Sequence, residues 1–458
     1  MSKLDVKIGL EIHVPLKTGQ KLFCDCPTDY YEIDEPNLNT CPVCTGMPGA
    51  KPFPINEKAL ESAIMIARLL NCRIYEERKF IKRKHYNYPD LPSGYQRTSE
   101  PIGVDGNLAG VGIWEVHLEE DPGRYDLMTG RVDFNRSGVP LVEIVTAPDM
   151  KSAEDVRNFL KELMNLLSYT NRIIEVGGLM RADVNISIGD GARVEIKNIN
   201  SIKGAYKAIS YEIMRQKNLR KMGRKIKRET RGFNEKSMIT IPLRTKETEE
   251  DYRYIPDPDI PPLILKREFI TKIKLPETPQ NRRIRLIKEY GISEKYAKIL
   301  VKRKEIADLF EDVAKKVDPN LSAQWICREV LKQLNYRGIK LRDSRLDSGI
   351  MIELLGLIDE KRITENTGKK LLERIIDTGE SPVKIVEKEN LGIVSNRDEL
   401  SDIVEFVISN NKNAVNDYIS GKSEALNFLM GRVMKEMRGR ADPKIVVELL
   451  KEYLKDYA

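Results

Sequence analysis

The chain has 458 residues, 32% charged and 41% hydrophobic, with a net charge of +7. At roughly 100–200 residues per domain this allows two to four domains and a core large enough to need no disulfide staples. No apolar run approaches the ~18 residues of a membrane span, and Met1 to Ile8 carries Lys3, Asp5 and Lys7 instead of an apolar leader, so a cytoplasmic chain without a membrane partner is expected. The mild positive balance permits a polyanionic partner but does not demand one.

From the N-terminus, Val6 to Leu16 alternates. Ile8, Leu10, Ile12 and Val14 share one side; Glu11 and His13 share the other. That pattern predicts a half-buried strand. Asn56 to Leu70 has an apolar helical stripe of Leu60, Ile64, Ala67 and Leu70. Val111 to Leu118 and Leu141 to Val145 read as strands. Arg181 to Ile188, the turn Gly189-Asp190-Gly191, and Arg193 to Ile199 read as a hairpin. Its polar face carries Asp183, Asn185, Glu195 and Lys197. Ser152 to Leu167 and Ser201 to Met222 read as capped helices.

Beyond about residue 290, Pro and Gly thin out and helical periodicity takes over. The expected class is α+β. A mixed sheet and helix domain spans 1–292, a helical domain 293–390, and a small helical tail 391–458.

Two features carry chemistry. Cys24-x-Cys26 is followed, after fourteen residues, by Cys41-Pro42-Val43-Cys44-Thr45-Gly46. Two short cysteine turns at this separation can present four thiolates to Zn²⁺. Four sulfur ligands leave no open position for water, so the expected zinc is structural. Cys72 and Cys327 stand alone on apolar helical faces and read as core residues.

The second feature is a set of carboxylates and imidazoles in strands. His13 shares a face with Glu11. His117 shares one with Glu115 and Glu119, and Glu120-Asp121 follow. Glu143 sits inside the apolar run Pro140 to Val145, where burial is costly unless it is paired or bound to metal. Any one of these alone is more often an ion pair. Several in one domain offer oxygen ligands and an imidazole to Mg²⁺ or Mn²⁺. Two loops rich in aromatic and charged residues, Arg83 to Pro92 and Asp251 to Asp259, look functional, with Arg244 and Lys246 ahead of the second. No Walker A, nucleophile-elbow or kinase signature occurs.

Several segments together resemble one family, the B subunit of the glutamyl/aspartyl-tRNA amidotransferase. They are Ile8-Gly9-Leu10-Glu11-Ile12-His13-Val14, Cys41-Pro42-Val43-Cys44, Arg83-Lys84 with Tyr88-Pro89-Asp90, and His117-Leu118-Glu119-Glu120-Asp121. Asn135 to Glu143, Arg181 to Asn185, Glu195 to Ser201 and Asp251 to Pro258 match as well. The resemblance covers essentially the whole chain. It implies a cradle-shaped catalytic domain inside a heterotrimer whose other members are an amidase, the A subunit, and a small protein, the C subunit. It implies that ATP phosphorylates the side-chain carboxylate of Glu or Asp misacylated on tRNA, and that ammonia channelled from the amidase displaces the phosphate.

The resemblance also implies roles for residues. A divalent metal, Mg²⁺ or Mn²⁺, falls to His13, Glu120 and Glu143. Glu11 belongs to the same pocket, and Lys84 lies along the ammonia route. Asp183, Asn185, Lys197, Asn198 and Arg244 are expected to position substrate or nucleotide. One conflict stands: regular alternation puts Glu120 on the face of Trp114, Val116 and Leu118; a bulge or strand end near Asp121-Pro122-Gly123 would resolve it, and without one Glu119 competes for the role. The basic run Arg215 to Arg231 and the tail residues Lys422, Arg432, Lys435, Arg438 and Arg440 are candidate tRNA contacts. The rival readings are an RNA-binding zinc module without catalysis and a stand-alone ligase. The chain has no glycine- and serine-rich amidase signature, which favours a separate ammonia source.

Overall fold

The computed structural model describes residues 5–86, 88–126, 128–175, 180–245, 253–394, 396–437 and 439–455. The chain divides into two units, Met1–Thr278 and Pro279–Ala458.

Among the described residues, the first unit is built on an eleven-stranded sheet. Its order runs Ile239–Thr245, Glu229–Asn234, Val194–Ile199, Arg181–Ile188, Val6–Pro15, Pro140–Thr146, Val111–Glu120, Tyr95–Ser99, Ile81–His85, Arg253–Pro256. Gly103–Leu108 pairs with Val111–Glu120 beside this path. Neighbours are antiparallel except Val194–Ile199 and Glu229–Asn234, which are parallel and joined by the helix Ile202–Lys221.

Strand alternation decides the two faces. Ile8, Leu10, Ile12 and Val14 are at most 1% exposed, and Ala182, Val184, Ile186, Val142, Ile144, Val116 and Leu118 join them. Helices Glu57–Leu69, Ala153–Ser168 and Ile202–Lys221 supply the other half of this core. Each starts on a side-chain cap. Asn56 accepts from Ala59 N–H, Ser152 from Asp155 N–H and Ser201 from Gly204 N–H, caps worth about 1 kcal/mol each. An antiparallel sheet covered on one face leaves the other for polar side chains. Glu11, His13, Glu143, Asp183 and Asn185 stand there.

The second unit is helical, with two cores among its described residues. One runs from Leu286 to Val386 and the other from Leu400 to Leu454. The helix Pro279–Tyr290 belongs to the first of these, although its sequence position placed it with the sheet domain. Leu286 is fully buried there, and Arg282 and Arg285 pair with Glu311. Among the described residues no helix is long and apolar enough to cross a membrane.

Candidate active site

Register builds the first cluster. His13 lies opposite Glu143 on one neighbouring strand, and Glu143 lies opposite His117 on the next. Glu119 enters the same face from one pleat further along. His13 Nε2 is 3.4 Å from Glu143 Oε1 and 3.8 Å from Glu119 Oε2. His13, Glu119 and Glu143 can each bring a ligand atom within 4.8 Å of the others.

The electrostatics are tense. Burial and the Glu143 charge push the Glu119 carboxyl above its usual range. Burial opposes charge on Glu143 as well, but the His13 hydrogen bond and the charges of His13, His117 and Lys84 hold it below its usual range. Burial disfavours the His13 imidazolium, yet Glu143 and Glu119 outweigh it and raise its pKa. His117 follows the same logic. Burial is overcome by its hydrogen bond to Glu115 at 3.0 Å and by the Glu143 charge, which push it up to about 9. A buried and a half-buried carboxylate and an imidazole held this close suit a divalent cation in place of the protons.

Glu120 does not join this cluster. Glu115 to Glu120 pairs with Val145 to Pro140 without a slip. Glu120 therefore points to the opposite face, where Arg97 Nη1 donates to both its oxygens at 3.3 Å. The register shift against that neighbour falls between Ile113 and Glu115, too early to turn Glu120 inward. Glu119 occupies the place implied for Glu120.

A second cluster lies one strand over. Glu11 is opposite Asp183, and Asn185 is opposite Glu195. Glu11, Asp183 and Glu195 can also bring ligand atoms within 4.8 Å of one another. Burial and the charges of Glu143, Asp183 and Glu195 raise the Glu11 carboxyl. Asn185 Nδ2 donates to Glu11 Oε1 at 2.9 Å, and Lys197 Nζ lies 3.2 Å from both Asp183 and Glu195. Sequence reasoning named Glu195 on the hairpin's polar face but gave it no role in the site. Its signal was present, since it shares the polar face of the hairpin with Asp183 and Asn185.

Lys84 stands beside the first cluster. Burial disfavours its charge, but Glu119 and Glu143 outweigh burial and raise the pKa of its ammonium. Asn198 is exposed at the bulge between Ala182 and Val184, with φ of 66°. The side chain of Arg244 lies outside the described residues, as do Asn87, Lys246, Asp251, Tyr252 and Arg438. The two loops rich in aromatics converge. Arg83 Nη2 and Arg97 Nε donate to the two oxygens of Asp257, both at 2.8 Å, and Arg83 also reaches Asp259 at 3.0 Å.

The cysteines meet as expected of a metal site. Cys44 Sγ lies 4.0 Å from Cys26 Sγ and 3.9 Å from Cys41 Sγ, and all four cysteines form one group. Four sulfurs around zinc at about 2.3 Å are about 3.8 Å apart, so the donor set fits tetrahedral Zn²⁺. Cys41 N–H donates to Cys44 Sγ at 3.2 Å, and buried Lys21 Nζ stands 3.5 Å from it. The shared hydrogen bond with Cys24 and the nearby Lys21 charge lower the Cys44 thiol to about 5, against burial. Gly46 has φ of 63°, and a Cβ there would lie 2.5 to 2.9 Å from Pro92 and Ser93, so only glycine fits.

The cysteine knuckle ties into the strand that carries Glu143. Ser137 Oγ donates to Cys44 O at 2.8 Å, and Leu22 N–H donates to Gly138 O at 2.8 Å, just before Pro140–Thr146. Cys72 and Cys327 pack against apolar cores, and burial pushes them up to about 11 and about 12.

Part of the basic run is spent inside the fold. Arg215 pairs with Glu212 and Glu229, Arg220 with Asp190, and Arg231 with Glu229. Lys217, Lys221, Arg224, Lys225 and Lys227 are exposed.

The GatB/GatE catalytic domain family matches residues 6–271, and the GatB domain family matches residues 308–454. The chain is 52% identical to the B subunit of the aspartyl/glutamyl-tRNA(Asn/Gln) amidotransferase of Methanopyrus kandleri, over 98% of this chain and 99% of that one. It is 52% identical to the protein of the same name from Methanocaldococcus jannaschii, over 99% of both chains. The Methanothermobacter thermautotrophicus counterpart is 51% identical, over 98% of this chain and all of its own. The chain belongs to the GatB family of amidotransferase B subunits.

Proposed function

We propose that the open sheet face activates the side-chain carboxylate of Glu or Asp misacylated on tRNA. ATP donates its γ-phosphoryl group to a carboxylate oxygen and leaves as ADP. Ammonia then attacks the carbonyl carbon, phosphate departs, and the product is Gln-tRNA or Asn-tRNA. A carboxylate is a poor electrophile because oxide leaves badly; phosphorylation turns that oxygen into a good leaving group.

The observation that carries this reading is the pair of carboxylate clusters on one face, His13–Glu119–Glu143 and Glu11–Asp183–Glu195. Phosphoryl transfer is mostly alignment and charge neutralisation. The first cluster has the hard oxygens and imidazole that would hold Mg²⁺ or Mn²⁺; such an ion neutralises and aligns phosphates when bound. Lys84, kept charged beside Glu119 and Glu143, offers a second positive group to the transferring phosphoryl and borders the ammonia entry. Asn185 orients Glu11, and Lys197 balances Asp183 and Glu195.

The zinc knuckle holds the loop ahead of Glu143 and takes no part in the chemistry. The ammonia comes from the amidase partner, and the small C partner completes the heterotrimer in the cytoplasm. The helical tail grips tRNA away from the acceptor end. Support for this division of labour is the family membership, together with a separate tail core from Leu400 to Leu454. Glu143→Ala tests the reading. It should abolish amidation in the reconstituted complex while sparing glutamine hydrolysis by the partner; full amidation by this variant would refute the assignment.

A further inference from the structure

We propose that Trp114 is the stacking platform for the adenine base of a nucleotide used on the carboxylate face; this rests on the reading of that face as an ATP-dependent activation site. The strand itself supplies the first observation. Ile113 lies opposite Thr146 and Glu115 opposite Val145, so Trp114 is an extra residue against that neighbour. Ile113 and Val116 both point into the core, at 1% and 0% exposure. The inserted residue therefore leaves two consecutive side chains, Trp114 and Glu115, off the core face. Trp114 is 54% exposed. Bulges beside active sites commonly re-aim a side chain in this way.

The second observation is what lies beside it. Glu115 is opposite Val145, and Val145 is opposite Glu11 on the next strand. With strands about 4.8 Å apart, Trp114 stands about 10 Å from the strand of Glu11. An aromatic plate, an apolar step and the two carboxylate clusters follow one another across the sheet, with Glu143 and His13 one pleat further along the strands of Val145 and Glu11. Base, sugar and phosphates follow one another in the same order in a nucleoside triphosphate. Glu115, bound to His117 Nε2 at 3.0 Å, offers acceptor oxygens next to the plate.

A protein partner fits the position less well. The sheet positions around Trp114 are Gly112, Glu115, Asp105 and the half-buried Val104 opposite Glu115, and Asp105 pairs with Arg73. An interface core is built from contiguous apolar side chains, with charge at its rim. An indole with charged groups beside it suits a π-face that brings its own polar edge.

Two sources supply that base: ATP and the 3′-terminal adenosine of tRNA. The chain has two tryptophans, and the other, Trp325, is 1% exposed in the helical unit. The full-length Trp325→Phe variant therefore reports on Trp114 alone. Its fluorescence should be quenched saturably by Mg·ATP if the nucleotide is the source, or by the trinucleotide CCA if the tRNA end is. In the complex reconstituted with its partner subunits, Trp114→Ala should raise KM for ATP if Mg·ATP quenches, or KM for misacylated tRNA if CCA does, about 5- to 100-fold with little change in kcat. Trp114→Phe should restore most of the loss, which separates stacking from misfolding. No quenching by either ligand, with both KM values unchanged in Trp114→Ala, would overturn the proposal. Failure of the underlying reading looks different, because Glu143→Ala would then amidate normally whatever Trp114 does.

Discussion

Glu119 Oε2 lies 3.8 Å from His13 Nε2, while Glu120, the next residue, leaves the strand on the other side and binds Arg97. The two carboxylates should respond differently to the same change. Glu119→Gln is expected to weaken divalent-metal binding at least ~10-fold and amidation further. Glu120→Gln should keep metal affinity within a few fold and cost about 1–3 kcal/mol of stability, because it leaves a buried guanidinium less well paired. Metal titration calorimetry and thermal melting on both variants check this. The reverse order of metal affinities would refute the register argument.

The cysteine site makes a separable prediction. Cys41→Ser should lose bound zinc and lower the melting temperature, because structural zinc contributes folding energy directly. The damage should reach Glu143 through Ser137 and Gly138 only as the knuckle loosens. Elemental analysis with a melting curve decides it. Unchanged zinc content and melting would remove the site.

Much of this was legible in the sequence, and the reasons are local. Alternation in Val6–Pro15 and Arg181–Ile188 assigned both faces of the central strands, since a sheet covered on one side forces a period of two. Spacing alone gathered the four cysteines. What alternation does not contain is partnership between distant strands. Glu195 joins Glu11 and Asp183 only through pairing across three strands. Glu120 was drawn in by motif position, against a parity that pointed to Glu119. Helix Pro279–Tyr290 carries a polar surface with few apolar residues, so its allegiance is visible in three dimensions, in buried Leu286 and in the Arg282 and Arg285 pairs with Glu311.

His117 gives a pH signature. Its folded pKa of about 9 lies above the ordinary value near 6.5. A raised cationic pKa means the stabilisation is fully present below about 6.5 and fades as pH rises through about 9. In metal-free protein, His117→Asn should flatten the fall in stability over that window, by at most a few kcal/mol. NMR titration of the imidazole checks the premise. A His117 titrating below 6.5 would contradict it.

The tail should act on tRNA and not on the chemical step. Deleting Asp398 to Ala458 removes a core of its own, Leu400 to Leu454. The expected result is a KM for misacylated tRNA raised on the order of 10-fold or more, since several phosphate contacts go with it. kcat at saturating tRNA should stay within a few fold. An unchanged KM would count against a tRNA-gripping tail.

The most direct test of the central claim is ATP hydrolysis by this chain reconstituted with its amidase and small partners. The comparison is between misacylated Glu-tRNA or Asp-tRNA and the same tRNAs uncharged. Stimulation by the misacylated forms alone is the predicted result, and it also names the substrate. Equal stimulation by charged and uncharged tRNA, or none despite tRNA binding, would contradict it and return Glu11, His13, Glu119 and Glu143 to a structural role.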